Sequence, residues 1–194
     1  SSKFCFAYIL LSSFVIPPVC FDTSISNVVD SSLLFEGITK SAFQLTNRFE
    51  SEAANQQIAG LATMALIRKI YPELIKQERF DEISDKSLDL QNSEGWFYEY
   101  GGPDLGYLSV TLDCLWDLYD ATGDEKYFQS AERGFNFLSD MVNLSGGNIG
   151  MQNSRNTDYI VPYGISRFLK DNSSYKFKAS YLLNLINSSK NSIK

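Results

Sequence analysis

The chain has 194 residues, a formal net charge of −6, 44% hydrophobic residues and 21% charged residues, a balance expected of a globular domain with one substantial core. The acidic excess offers no basic patch of the kind that phosphate binding needs, so no nucleic-acid partner is expected. Histidine is absent. That excludes a Ser-His-Asp triad and a HExxH zinc site, and leaves proton transfer to Asp, Glu, Tyr, Lys or Cys.

Taken in chain order, the first feature is FCFAYILLSSFVIPPVC, residues 4–20, uncharged throughout and preceded by Lys3. Two readings stand: a buried helix over 4–16 ending before Pro17, which is preferred, or the apolar part of a leader. The run is short for a membrane span, and its Pro-Pro-Val-Cys end lacks the small residues of a cleavage site. A cytoplasmic location and no membrane partner follow from the first reading, a secreted one from the second. The chain starts with Ser rather than Met, so it reads either as a single domain, 1–194, or as part of a longer parent chain. Asn143, Asn172 and Asn187 each open a glycosylation triplet. Cys5, Cys20 and Cys114 are odd in number and widely spaced, which predicts thiols rather than a disulfide framework. No cofactor or metal is expected.

Helical spacing of apolar residues then predicts helices over 28–45, over 53–71, and from beyond Pro72 to about residue 90. Leu105, Leu108, Leu112, Leu115, Trp116 and Tyr119 form one apolar stripe of the next helix, with Asp104 as its N-cap and Gly123 as its stop. Asp113, Asp117 and Asp120 share a flank of that helix and are read as a solvated face. A helix over 124–142 turns Tyr127, Phe128, Ala131, Phe135 and Leu138 inward, and the short link ATGDE makes the two an antiparallel hairpin. Further helices are predicted over 162–170 and 175–186. No useful strand alternation is present.

The two best hairpins resemble each other. Tyr71 aligns with Tyr119, Phe80 with Tyr127 and Gly95 with Gly146, giving a repeat of ~50 residues over 53–104 and 105–157, the range of stacked helical hairpins. Each repeat ends in a long loop, 91–104 and 145–157, that precedes the first helix of the next. Hairpins winding about an axis would put both loops on one rim, at helix N-termini whose N–H groups suit an anionic or hydroxyl-rich ligand.

The stretch EGWFYEYGGPDLGY, followed by a helix and the TGDEKY turn, resembles the α/α-toroid proteins, which include six-hairpin glycosidases and the helical domain of heparinase-like polysaccharide lyases. NSRNTDYIVPYG fits as a second rim loop. The resemblance covers roughly residues 50–170. It implies an all-α fold of antiparallel helical hairpins in an incomplete (α/α) toroid, with three or four hairpins where a complete one has six. It also implies a carbohydrate-processing protein, a glycoside hydrolase or polysaccharide lyase, acting on an acidic or heavily hydroxylated saccharide. Toroids also host terpene cyclases and prenyltransferases, but DCLWDLYD has its acids at helical spacing without a DxDD pattern. The alternative is a non-catalytic helical-repeat binding or scaffold module.

Sugar sites pair aromatic platforms with carboxylates and amides. Trp96, Tyr98 and Tyr107 are the expected platforms, with Glu94, Arg155, Asn156 and Tyr159 as further substrate-binding residues. Trp96 and Phe97 have a second reading, as plugs of the core. A hydrolase needs two carboxyl groups flanking the scissile bond, and Glu99 and Asp104 are the nominated pair. A lyase would use Tyr100 or Tyr159 as base, with Arg155 neutralising a uronate. Arg155 reads equally as an ion-pair partner of Asp158.

Overall fold

A computed structural model of the chain describes residues 31–142, 159–170 and 175–191. Its helices are α1 (Ser31–Asn47), α2 (Ala54–Ile70), α3 (Gln77–Leu88), α4 (Leu105–Thr122), α5 (Glu125–Met141), α6 (Tyr163–Arg167) and α7 (Tyr175–Asn191), with 3-10 turns at Pro72–Leu74 and Phe168–Lys170. The described residues contain no strand, only three isolated bridges around the loop 91–102. The all-α expectation is met. The helix predicted over 28–45 runs to Asn47 in its described part, and the last continues past residue 186.

Local chemistry explains where the elements stop. Tyr71 closes α2 by donating its N–H to Ile67 O at 2.7 Å, and Pro72, which has no N–H to donate, opens the 3-10 turn. Asp104 caps α4, its Oδ1 accepting Tyr107 N–H at 3.0 Å, and Asp124 caps α5 by accepting from Lys126 N. Gly123 ends α4 with its N–H on Tyr119 O at 2.8 Å. Both ends of α4 fall where the sequence places them.

α4 is the centre of the core. Its Leu105, Leu108, Leu112, Leu115 and Leu118 are buried, and it packs against α2, α5 and α6. Cross-links between elements define two layers. In the first, Ser109 Oγ accepts Val161 N–H at 2.8 Å, Asp113 Oδ1 accepts Gly164 N–H at 2.5 Å, and Asp120 pairs with Arg167 at 2.6 Å. Those pairs advance together, so α6 runs parallel to α4. In the second layer, Asp85 meets Lys126 at 3.1 Å, Ser84 meets Tyr127 Oη at 2.6 Å and Gln91 meets Ser130 Oγ at 2.7 Å, so α3 and α5 also run parallel. Lys178 of α7 continues that layer by donating to Asn136 at 3.4 Å. The fold is therefore a row of hairpins, α2/α3, α4/α5 and α6/α7. First helices lie beside first helices, and second helices are linked to second helices.

The sequence repeat has a structural counterpart. Phe80 and Tyr127 are buried near the starts of α3 and α5, while Tyr71 and Tyr119 lie at the ends of α2 and α4. Gly146 lies outside the described residues. An aromatic cluster seats the third hairpin: Phe168 stacks on Phe135 at 4.2 Å and meets Trp116 edge-on at 5.1 Å. The solvated-face reading of Asp113, Asp117 and Asp120 is corrected in part: Asp113 is half-buried, whereas Asp120 stays exposed. Asp113 holds Gly164 and Asp120 holds Arg167, both on α6. A polar flank looks the same in sequence whether water or a later helix covers it.

Candidate functional site

The loop 91–104 is held from both sides before it presents anything outward. Gln91 donates to Gly95 O and Ser130 O at 2.9 Å each, and its Oε1 accepts from Arg133 at 2.6 Å, fastening the loop to α5. Asn92 makes the local turn: its Oδ1 accepts Glu94 N–H at 2.8 Å and its carbonyl accepts Gly95 N–H at 2.9 Å. Gly95 has φ 108°, and a Cβ there would sit 2.3 Å from Arg133 O. Only glycine fits this approach to α5.

From residue 96 the chain is extended, and alternate side chains take opposite sides. Phe97 and Glu99 point in, 1% and 2% exposed; Tyr98 and Tyr100 point out, 39% and 47% exposed. The backbone of this segment pairs with the start of α2. Tyr98 O accepts Ala54 N–H at 3.1 Å, and Tyr100 N–H donates to Glu52 O at 2.7 Å. Glu99 and Gly102 exchange backbone hydrogen bonds across Tyr100 and Gly101, whose φ values are 48° and 109°. Positive φ at both central positions is the signature of a type I′ turn, which normally takes Asn-Gly.

The nominated carboxylates have structural partners. Ala53 stands at the N-cap of α2 and has no side chain that can cap. Glu99 supplies the missing acceptor from outside, its Oε1 taking Asn55 N–H at 2.6 Å. Asp104 caps α4 and is 1% exposed. Each carboxylate lies at the positive end of a helix, where it satisfies N–H groups that would otherwise be unmatched. The expected pair is thus one clamp joining the starts of α2 and α4.

The outward face carries rings. Trp96 and Tyr98 stack with centroids 6.5 Å apart and planes inclined by 26°, and Glu94 Oε2 accepts Trp96 Nε1–H at 2.9 Å, fixing the indole. Tyr107 is half-buried in the first turn of α4. Tyr159 is exposed just before Ile160 and Val161, and the Val161–Ser109 bond sets that segment beside the first turns of α4. The second rim loop expected over 145–157 lies outside the described residues. Arg155, Asn156 and Asp158 lie outside the described residues. A cavity of about 30 Å³ lies elsewhere, between the end of α1 and α2, lined by Leu45, Arg48, Gln57 and Met64. It has room for about one water molecule, not a sugar.

Two features of this end escape sequence reasoning. The α2 start lacks a capping residue, and that gap is the signal that an acceptor arrives from elsewhere. Asp113 is half-buried against α6, and burial pushes its carboxyl from its usual 3.8 up to about 7. Nothing in the spacing of Asp113, Asp117 and Asp120 separates the three. Comparison with protein-family models, with curated proteins and with solved structures finds no match to this chain.

Proposed function

We propose that the chain is a saccharide-binding module built as an arc of an α/α-toroid, with Trp96, Tyr98 and Tyr100 forming the platform for the apolar face of a sugar ring. The two layers of parallel helices support the arc, since hairpins repeated side by side leave their long loops at one end. The observation that carries the binding reading is the outward row of rings, Trp96 stacked with Tyr98 and Tyr100 on the same side. A bulky residue at φ 48° costs about 1–2 kcal/mol relative to glycine or asparagine at the same position. Nearly half of the Tyr100 side chain is exposed.

Binding is favoured over hydrolysis because both nominated carboxylates are engaged at helix starts. A glycosidase needs its two carboxyls free to flank a scissile bond. The same occupancy favours a neutral, hydroxyl-rich saccharide, because the N–H groups at the starts of α2 and α4 already face carboxylates. Calorimetric titration with a panel of neutral and uronate oligosaccharides tests the proposal. Tyr98→Ala, which removes the open member of the stack, is expected to weaken binding roughly tenfold, from about 1.4 kcal/mol of lost ring contact. Failure of every oligosaccharide to bind, or binding unchanged in Tyr98→Ala, contradicts it. New reducing ends released during the titration would turn the reading to a processing enzyme.

A further inference from the structure

The polar groups around Trp96 are fixed at one end and open at the other. Asn92 Oδ1 accepts Glu94 N–H at 2.8 Å, and Glu94 Oε2 accepts Trp96 Nε1–H at 2.9 Å. A backbone N–H can donate only to the oxygen of an amide, so the first bond settles the orientation of Asn92 and turns its Nδ2 hydrogens away from the turn. The indole N–H occupies one carboxylate oxygen of Glu94 and leaves the second. Among the described residues, Asn92 Nδ2 donates no hydrogen bond and Glu94 Oε1 accepts none. Arg133, whose backbone the turn touches, gives its guanidinium to Gln91 instead.

Backbone register puts these groups on the ring side of the loop. Gln91 and Phe97 form an antiparallel bridge, with Gln91 turned onto α5 and Phe97 into the core. The next pair is Asn92 opposite Trp96, joined by the bond from Asn92 N–H to Trp96 O at 2.7 Å. Side chains directly opposite in an antiparallel pair take the same side, with Cβ atoms about 4.5–5.5 Å apart. Asn92 therefore shares the outward side with Trp96 and, by alternation, with Tyr98. Glu94 and Tyr98 are exposed and Asn92 and Trp96 are half-buried, so a ligand on the rings can reach both polar groups.

We propose, on the basis of the saccharide-binding reading, that Asn92 and Glu94 select the sugar: Asn92 Nδ2 donates to, and Glu94 Oε1 accepts from, hydroxyls on adjacent carbons of a ring lying on Trp96 and Tyr98. A sugar hydroxyl both donates and accepts, so a donor beside an acceptor matches a pair of them. The match restricts the ligand to neutral glycans with free hydroxyls at that edge. A uronate would bring a second carboxylate to Glu94, and an O-methylated position would leave Glu94 Oε1 with no donor. Both groups are already oriented by the loop's own bonds, which lowers the ordering cost of binding.

Two nearly isosteric variants test the selection. Asn92→Asp keeps the oxygen that takes Glu94 N–H, and with it the turn, but puts a second oxygen where the donor stood. Glu94→Gln keeps an oxygen for Trp96 Nε1–H and puts an amide where the acceptor stood. In calorimetric titration with a panel of neutral oligosaccharides, each variant is expected to bind about tenfold more weakly than the parent chain. The same oligosaccharides, fully O-methylated, keep their apolar faces and have no O–H to donate. The parent chain is expected to bind them about tenfold more weakly than the free forms, and Glu94→Gln to bind them as the parent chain does. Variants that bind the free oligosaccharides like the parent chain, or a parent chain indifferent to O-methylation, overturn the proposal; if Tyr98→Ala still weakens binding, the ring platform survives that result. Failure of every oligosaccharide to bind overturns both. Circular dichroism establishes that each variant is folded, and should either not fold, the comparison of free and O-methylated forms on the parent chain decides.

Discussion

Gly95→Ala is expected to be the most damaging single-methyl change in the described structure, lowering folding stability by about 3 kcal/mol or more. Two separate faults combine. The backbone at φ 108° is outside what an alanine adopts without strain, and the new Cβ would lie 2.3 Å from Arg133 O and 2.8 Å from its carbonyl carbon. Both contact atoms are backbone in the middle of α5, so no rotamer change relieves them. The loop would have to lift from α5, breaking the Gln91 bonds to Gly95 O and Ser130 O and uncovering Phe97. Domains of this kind have about 5–15 kcal/mol in total, so a large share of stability would go. Urea denaturation measures it. A loss under about 1 kcal/mol would mean that the loop is not clamped to α5 as described.

Glu99→Ala is expected to cost roughly 1.5–3 kcal/mol, the range for a hydrogen bond to a charged group. The residue is 2% exposed and its Oε1 is the acceptor for Asn55 N–H at 2.6 Å. Ala53 has no side chain able to take over. Glu99→Gln keeps an acceptor oxygen and nearly the same shape, so it should lose less than half as much. The effect should be local as well as global, with amide exchange at Asn55 and Gln56 accelerating before the core opens. A general acid or base would behave in the opposite way. Removing it would leave stability unchanged or improved and abolish turnover, because active-site carboxylates are kept at the expense of stability. Equal stability of Glu99→Ala and the parent chain would return Glu99 to the catalytic reading.

Most of the architecture was legible because it rests on short-range signals. The stripe from Leu105 to Tyr119, the Asp104 cap and the Gly123 stop lie within one helix, and each is found where periodicity and capping rules put it. Parallel stacking of the hairpins also followed from the repeat of Tyr71 with Tyr119 and Phe80 with Tyr127. What the sequence could not carry was the direction in which a side chain faces once hairpins meet. Glu99 and Tyr100 are adjacent and equally plausible as site residues on composition. One closes the start of a helix 44 residues earlier, while the other is turned outward by a type I′ turn. Asp113 and Asp120 have the same difficulty, since α6, to which both bond, begins more than forty residues later. Phe97 and Trp96 divide the two readings given to aromatic loop residues. Phe97 plugs the core, and Trp96 is half-buried with its indole held at the surface by Glu94.

Loop 91–104 has an inward side that clamps α2 to α4 and, under the proposed binding role, an outward side presented to a ligand. Tyr100→Gly tests this division most directly, because it leaves the clamp intact, relieves the backbone at φ 48° and removes one ring. Denaturation and oligosaccharide titration on the same preparation should show a variant about 0.5–1 kcal/mol more stable than the parent chain, with saccharide binding weakened. A Tyr100→Gly chain that is less stable, or that binds as the parent chain does, would contradict the division of the loop into those two sides.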